Sequence, residues 1–364
     1  MVKMRLGKTD LMVSRIGFGG IPIQRCSEET AIAIVRRCLD HGINFIDTAA
    51  AYTNSEERIG KAITDRRDGL IIATKSTERT REGIEAHLYQ SLKRLNISFI
   101  DLYQFHGVND LTNLNKVLAP IGPMAVLKDA QKRALVRHIG ITCHNKDTAK
   151  EAVKSGQFET VMFPFNFMTP EPALEVMPLA KERGMGFIAM KPLEGGILSN
   201  AALSFKYLLQ YPNVLPIVGI EHPHEIDEIM EVVHGNHHLA TTDMDEIERM
   251  RREMGNQFCR RCDYCQPCEQ GIRISAVLPM RGLMKRLPRE RLFTGMAREI
   301  MSKAAMCTAC GQCEERCPYQ LPIRNLLGDA VAWYESERAK FETETASEAR
   351  LNRTTTRPSI KTLK

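Results

Sequence analysis

The chain has 364 residues, 43% hydrophobic and 26% charged, with a formal net charge of +6. That is the make-up of a soluble globular protein with two or three domains, or of one large barrel with an appendage. No apolar run is long enough to span a bilayer, residues 1–7 hold neither a signal core nor a cleavage site, and the expected location is the cytoplasm.

The charge is unevenly spread. Basic residues gather at 249–298 and 350–364. They lack the aromatic interleaving or helix-turn-helix pattern of a nucleic-acid binder. They read as solvated surface, or as a docking face for an acidic electron-transfer partner. Eleven cysteines in a cytoplasmic chain point to metal binding and not to disulfides. Cys26, Cys38 and Cys143 stand apart from the rest and read as inert thiols.

In chain order, residues 4–13 predict a hairpin turning at Gly7-Lys8-Thr9-Asp10, placed to plug the bottom of a barrel. Short β-rich runs follow at 14–18, 43–47, 70–74, 99–104, 136–141, 160–163, 186–190 and 214–218. Helical stretches lie between them at 27–41, 55–63, 80–95, 123–133, 146–155, 172–183, 201–210 and 223–233. The first opens with Ser27 and carries Glu28 and Glu29 in its first turn. The third puts Ile84, Leu88, Leu92 and Leu95 on one face. Eight strand–helix units in succession predict an α/β fold, a (β/α)8 TIM barrel. A doubly wound open sheet would want a G-x-G-x-x-G turn after its first strand, which Gly17-Phe18-Gly19-Gly20-Ile21-Pro22 does not supply. The barrel ends near Gly235, in a polar stretch where His234, His237 and His238 read as solvated. A charged helix follows over 241–256, and from 336 the chain reads as a polar, flexible tail. The predicted domains are 1–240, 241–335 and 336–364.

The late segment holds two cysteine runs. Cys259, Cys262, Cys265 and Cys268 form C-x2-C-x2-C-x2-C; Cys307, Cys310, Cys313 and Cys317 form C-x2-C-x2-C-x3-C before Pro318. The second run is the bacterial ferredoxin signature, in which the fourth cysteine ligates the other cluster. The expected ligation is therefore crossed. Cys259, Cys262, Cys265 and Cys317 would hold one [4Fe–4S] cluster, and Cys268, Cys307, Cys310 and Cys313 the other. Zinc ribbons also pair C-x2-C elements, but not four cysteines to a run with proline after the last. Glu269 follows the first run where such repeats often have proline, and a basic, partly helical insert separates the runs, so this is not a minimal ferredoxin. The domain is expected to be mainly α and ferredoxin-like.

Catalytic residues of such barrels sit at the C-terminal ends of strands. Asp47, Lys75 and His106 end the second, third and fourth predicted strands, and Tyr52 lies in the loop after Asp47. A tyrosine with a pKa near 10 is a poor acid at neutral pH. An adjacent lysine ammonium, held charged by an aspartate, makes it a stronger one. A histidine can donate a hydrogen bond to a substrate carbonyl. The reaction that uses this set is hydride transfer to an aldehyde or ketone.

These segments resemble the aldo-keto reductase family. The resemblance runs through Phe45-Ile46-Asp47-Thr48-Ala49-Ala50-Ala51-Tyr52, Ile72-Ala73-Thr74-Lys75 and Asp101-Leu102-Tyr103-Gln104-Phe105-His106. It continues in Arg137-His138-Ile139-Gly140-Ile141, Ala189-Met190-Lys191-Pro192-Leu193 and Pro216-Ile217-Val218-Gly219, and so covers about residues 1–235. The whole chain is similar to the branch with a C-terminal double-cluster domain. The resemblance implies a nicotinamide cofactor, NADP(H) or NAD(H), across the top of the barrel. The positions it implies for that cofactor are Gly19, Gly20, Asp47, Thr142, Cys143, Met162, Met190, Lys191, Leu193, Gly219, Glu225 and Glu228. Cys143 and Met162 stand where many members have asparagine and glutamine to hold the carboxamide, a task that His144 or Asn166 could take over. Glu225 stands where an arginine often meets the 2′-phosphate, and an acid there favours NADH.

The function expected is an NAD(P)H-dependent oxidoreductase that reduces a small aldehyde or ketone, or oxidises the alcohol. Its two [4Fe–4S] clusters would transfer electrons, with a ferredoxin-like redox partner, or be structural. The alternative is an iron–sulfur electron-transfer protein whose barrel is a docking or regulatory domain. The segment 107–118, with Val108, Leu111 and Leu114, is read as a loop shaping a partly apolar substrate pocket.

Overall fold

The computed structural model describes residues 1–284 and 287–355. The chain opens with strands β1 (Lys3–Arg5) and β2 (Met12–Ser14), paired antiparallel with Arg5 opposite Met12. The turn between them needs glycine. Gly7 has φ +60°, and a Cβ there would stand 2.2 Å from the Gly186 nitrogen. The Lys8 N–H donates to the Gly184 carbonyl at 2.7 Å, which ties the hairpin to the barrel wall. Leu6, Leu11 and Val13 join the interior cluster of Ile71, Leu102, Ile188 and Leu215. The hairpin thus closes the barrel floor, as the sequence predicts.

Strands and helices then alternate: β3 (Gly17–Gly19), α1 (Glu28–Asp40), β4 (Phe45–Asp47), α2 (Ser55–Ile63), β5 (Ile71–Ser76), α3 (Arg81–Leu95) and β6 (Ile100–Phe105). Next come α4 (Leu111–Leu118), α5 (Pro123–Lys132), β7 (Val136–Thr142), α6 (Lys146–Lys154), β8 (Thr160–Pro164), α7 (Glu171–Glu182) and β9 (Gly186–Met190). The series ends with α8 (Ala201–Leu209), β10 (Val214–Gly219), α9 (Pro223–His234) and α10 (Thr241–Met254). The strands β3 to β10 form a closed parallel barrel, sealed by β10 against β3 with Ile217 opposite Gly17. A second apolar layer, including Ile34, Val35, Ile46, Ile72 and Val218, lies between strands and helices.

Two details differ from the predicted elements. The run 14–18 is split: the Ser14 hydroxyl donates to the Ile16 carbonyl at 2.6 Å in a local turn, so the hairpin ends at Ser14 and the barrel begins at Gly17. Residues 111–118, read as loop, are helix α4. Asp110 caps it by accepting from the Asn113 N–H at 2.7 Å, and Leu114 and Val117 are buried.

Contacts divide the chain into two compact units. The first is Met1–Gly255 with Arg260–Cys262; the second is Asn256–Cys259 with the chain from Asp263 onward. Helix α10 therefore belongs with the barrel unit, where the sequence suggests a boundary at 240. The second unit is helical: α11 (Ile274–Val277), α12 (Met280–Met284), α13 (Arg289–Phe293), α14 (Gly295–Ala304), α15 (Gln312–Glu315) and α16 (Ile323–Thr355). Its core includes Ile274, Val277, Phe293, Met301, Ile323, Leu327 and Tyr334. The Tyr334 hydroxyl donates to the Leu292 carbonyl at 2.7 Å. The expected flexible tail from 336 is instead α16 as far as Thr355. Phe341 packs on Phe293 at 5.2 Å and Arg289 pairs with Glu344 at 2.6 Å, so the helix has a reason to continue. Residues 356–364 of that expected tail lie outside the described residues. Among the described residues no helix is long and apolar enough to cross a membrane.

Candidate active site and candidate iron–sulfur centres

The barrel brings Asp47, Tyr52, Lys75 and His106 together. Asp47, ending β4, and Lys75, lying on β5, are each 2% exposed, and the Lys75 ammonium donates to Asp47 Oδ2 at 2.6 Å and to the Thr48 carbonyl at 2.7 Å. Asp47 Oδ1 accepts from the Gln104 amide at 3.1 Å. The ammonium lies 5.0 Å from the Tyr52 ring centre and is hydrogen-bonded to that side chain. Burial opposes the lysine's charge, but Asp47 and Tyr52 outweigh it and hold its pKa above the ordinary value. At Asp47 burial wins and raises the carboxyl above its ordinary value, against the opposing pull of Lys75 and the Gln104 amide.

His106 follows β6. Its ring meets Tyr52 edge-on, with centroids 5.7 Å apart and planes at 84°. Its backbone is pinned: the N–H donates to the Ser76 carbonyl at 2.8 Å, and the carbonyl accepts from Arg79 at 2.6 Å. Burial, then Lys75 and Arg79, push its pKa down to about 3, so the imidazole is neutral. A neutral imidazole keeps one ring donor and one ring acceptor. Its Nδ1 is buried without a hydrogen-bond partner. His144, just past β7, has the same signature. Burial, with Lys191, Arg261 and His106, holds its pKa well below the usual range, and its Nδ1 is likewise buried and unpartnered. Its backbone N–H is held by Asn109 Oδ1 at 2.7 Å.

The other expected cofactor positions are scattered around the strand ends. Gly19 ends β3, and the Gly20 N–H donates to the Asp47 carbonyl at 2.7 Å. Thr142 Oγ1 accepts from the Gly107 N–H at 2.7 Å. Cys143 is fully buried, which raises its pKa, and Met162 is packed in the barrel interior. Met190 ends β9, Lys191 follows with φ +59°, and the Leu193 carbonyl accepts from Gly196. Asn166 is spent internally. Its Nδ2 donates to the Lys191 carbonyl at 3.1 Å and to Glu194 at 2.5 Å, while its Oδ1 accepts from Met168 and Thr169. Gly219 ends β10 and Glu228 lies exposed on α9. Glu225 turns back on its own helix end, accepting from the backbone N–H of Glu221 at 2.7 Å and of His222 at 3.1 Å.

Gln104 is the site residue that the motif reading passed over. Its signal was available: it lies on β6 within the segment that leads to His106, beside the predicted strand end.

In the second unit, Cys268, Cys307, Cys310 and Cys313 line one cavity, together with Ile272, Ile274 and Leu327. Cys317 is not among its lining residues. Four thiols around a space with an apolar side suit a cubane whose ligands come from both cysteine runs. No cysteine is in a disulfide. Among the described residues no three His, Cys, Asp or Glu side chains stand close enough to share a single metal ion. Cys307 and Cys310 are exposed, whereas Cys265 is buried with Ile272 and Ile274 in the core of the unit.

Comparison with known proteins agrees with both halves. The profile of the aldo/keto reductase family matches residues 15–204, more than half of the chain, and that of a 4Fe-4S dicluster domain matches 258–322. An uncharacterized oxidoreductase of Bacillus subtilis is 29% identical over 217 residues, covering 56% of this chain and 68% of the relative. The L-galactose dehydrogenase of Arabidopsis thaliana is 30% identical over 217 residues, covering 53% of this chain and 66% of the relative. The matched stretch thus takes in about two thirds of either relative's length. Among solved structures, the holo form of an aldo-keto reductase from Bacillus halodurans superposes with a TM-score of 0.60 at 24% identity, covering 69% of this chain and 96% of that one. That likeness is one of fold.

Proposed function

This chain belongs to the aldo/keto reductase family, and from that premise we propose that it is a nicotinamide-dependent carbonyl reductase carrying two [4Fe–4S] clusters. The observation that carries the reading is the buried 2.6 Å Lys75–Asp47 pair bonded to Tyr52. When bound, NAD(P)H supplies the hydride that reaches the carbonyl carbon. Tyr52 gives its hydroxyl proton to the carbonyl oxygen. Lys75, kept charged by Asp47, stabilises the phenolate left behind. His106, neutral and with a ring nitrogen open, donates to the same oxygen and fixes its position. His144 is our choice for holding the nicotinamide amide, because its ring nitrogen is open while Asn166 is fully engaged.

The cluster ligands in this reading are Cys259, Cys262, Cys265 and Cys317 for one site, and Cys268, Cys307, Cys310 and Cys313 for the other. The second set is supported by its shared cavity. Exposure of Cys307 and Cys310 favours clusters that exchange electrons with a redox partner over clusters that only brace the fold. The test is anaerobic assay of NADH and NADPH oxidation against a panel of aldehydes and ketones. Tyr52→Phe should lower turnover by about 10²-fold or more with cofactor affinity unchanged; near-normal turnover in that variant rules the proton-donor assignment out.

A further inference from the structure

We infer that Gln104 is a positioning residue whose amide holds the second oxygen of Asp47 and so keeps the Lys75 ammonium in place for Tyr52. The inference rests on the carbonyl-reductase reading for its catalytic consequence, but not for its geometry. Asp47 is a buried carboxylate with two oxygens to satisfy. Oδ2 takes the Lys75 ammonium at 2.6 Å, and Oδ1 takes the Gln104 amide at 3.1 Å. Lys75 and Gln104 are register partners on β5 and β6, which brings both side chains to the same level of the barrel. The amide must point its nitrogen at Asp47, since its oxygen would face a carboxylate.

The surroundings give Gln104 no other task. It is 0% exposed, and its own Oε1 is buried without a hydrogen-bond partner. On the far side, its register partner on β7 is Gly140. A Cβ at Gly140 would lie 3.1 Å from Gln104 Cγ and 2.2 Å from Thr160 Oγ1. The neighbouring strand is therefore bare where the glutamine sits. A buried glutamine whose one side-chain hydrogen bond runs to a carboxylate is placed to hold that carboxylate.

The electrostatic consequence has one sign. Of the titratable groups here, Lys75 from β5 acts on Asp47, Tyr52 from the loop after β4 acts on Lys75, and Lys75 and Arg79 act on His106 after β6. An N–H donated to the ionised carboxylate favours that form. Without it, the carboxyl protonates at higher pH, and the acid limb of the rate profile moves up with it.

Gln104→Leu and Gln104→Met test this. Infrared difference titration follows the Asp47 carboxyl, assigned by its loss in Asp47→Asn, and needs no substrate. The pH dependence of kcat and the Kd for NADH, by fluorescence quenching, are measured beside it. Both variants should titrate about one pH unit higher, with kcat at neutral pH down about tenfold and Kd unchanged. A carboxyl titration that does not move in a folded variant overturns the proposal, as does a change in Kd with an unmoved pH profile. If Leu does not fold, Met decides; if neither folds, Gln104 serves the fold alone and the proposal is overturned. A shifted titration in a protein that reduces no carbonyl would keep the positioning role and reject the carbonyl-reductase reading.

Discussion

The barrel and the cysteine unit build their sites in opposite ways. In the barrel, Asp47, Lys75 and Gln104 project from strands that are paired on both sides, over an interior of Leu102, Ile188 and Leu215. The Lys75 ammonium and the Gln104 amide each bond to one oxygen of Asp47, while Gln104 Oε1 is left without a partner. In the cysteine unit, Cys307 and Cys310 stand exposed in the stretch between α14 and α15, and α11 and α15 are four residues long. Four thiols face a cavity. The apolar side of that cavity is made by Ile272, Ile274 and Leu327. One site is closed by groups of the protein itself; if the other holds a cluster, its folding is coupled to what it binds.

Removing the metal should break the comparison most visibly. Anaerobically prepared protein should hold about eight irons and eight labile sulfides per chain. After stripping with a chelator, hydrogen exchange should lose protection across residues 256–355 while β3 to β10 stay protected. Full protection in both units would mean that the cysteine unit folds without its clusters.

Lys75→Met attacks the barrel from the other side. It leaves Asp47 as a buried, unpaired charge, which costs about 3–5 kcal/mol, and turnover should fall by about 10²-fold or more. Urea unfolding and steady-state assay read the two effects. The visible cluster spectrum should not change, and a bleached spectrum would show that the two sites are not independent.

Glu225→Arg is expected to do less. It removes the carboxylate that satisfies the Glu221 and His222 amides, costing about 1 kcal/mol, and it places a cation where an acid stood. The ratio of NADPH to NADH affinity should rise. Isothermal titration with both dinucleotides would show an unchanged ratio if this helix end is remote from the adenosine phosphate.

The smallest effect is at the barrel floor. His138 bridges Asp10 and Glu159, each at 2.7 Å. Burial lowers its pKa, but the two carboxylates outweigh that and leave it raised. A raised folded-state pKa gives stability that is fully present below the unfolded value of about 6.5 and is lost as pH rises through the folded value. The contribution is under about 1 kcal/mol. Thermal unfolding of His138→Gln should therefore differ from the parent at pH 6 and converge with it on the alkaline side. A gap that widens with pH would mean the histidine is neutral in the folded protein.

Local pattern was enough for much of this molecule. Period and punctuation placed the strands, because each apolar run such as Ile71-Ile72-Ala73 is bounded by polar turns, and Ser27 and Thr80 cap the helices they precede. Helix α4 was missed because its apolar face is short, although Asp110 was a usable cap signal. The fate of α16 beyond 336 was not legible, since Phe341 gains its meaning only from Phe293, distant in sequence. Asn166 and His144 were equal candidates in the sequence, and only their hydrogen bonds separate them. Glu225 carries a charge that sequence can name, but its direction, back onto two amides of its own helix end, is a matter of backbone path.

By itself, then, the sequence determined which chemistry is available: the order of Asp47, Tyr52, Lys75 and His106 along strand ends, and the two cysteine runs, follow from spacing along the chain. The tertiary structure alone decided which groups meet. The closed register sets Gln104 beside Lys75 and against Asp47, whereas the cavity that Cys268 lines with three cysteines of the second run has the set already expected from the ferredoxin spacing. The physical reason is that hydrogen bonding and burial depend on distances between residues remote in sequence, and spacing along one strand or one loop does not contain them.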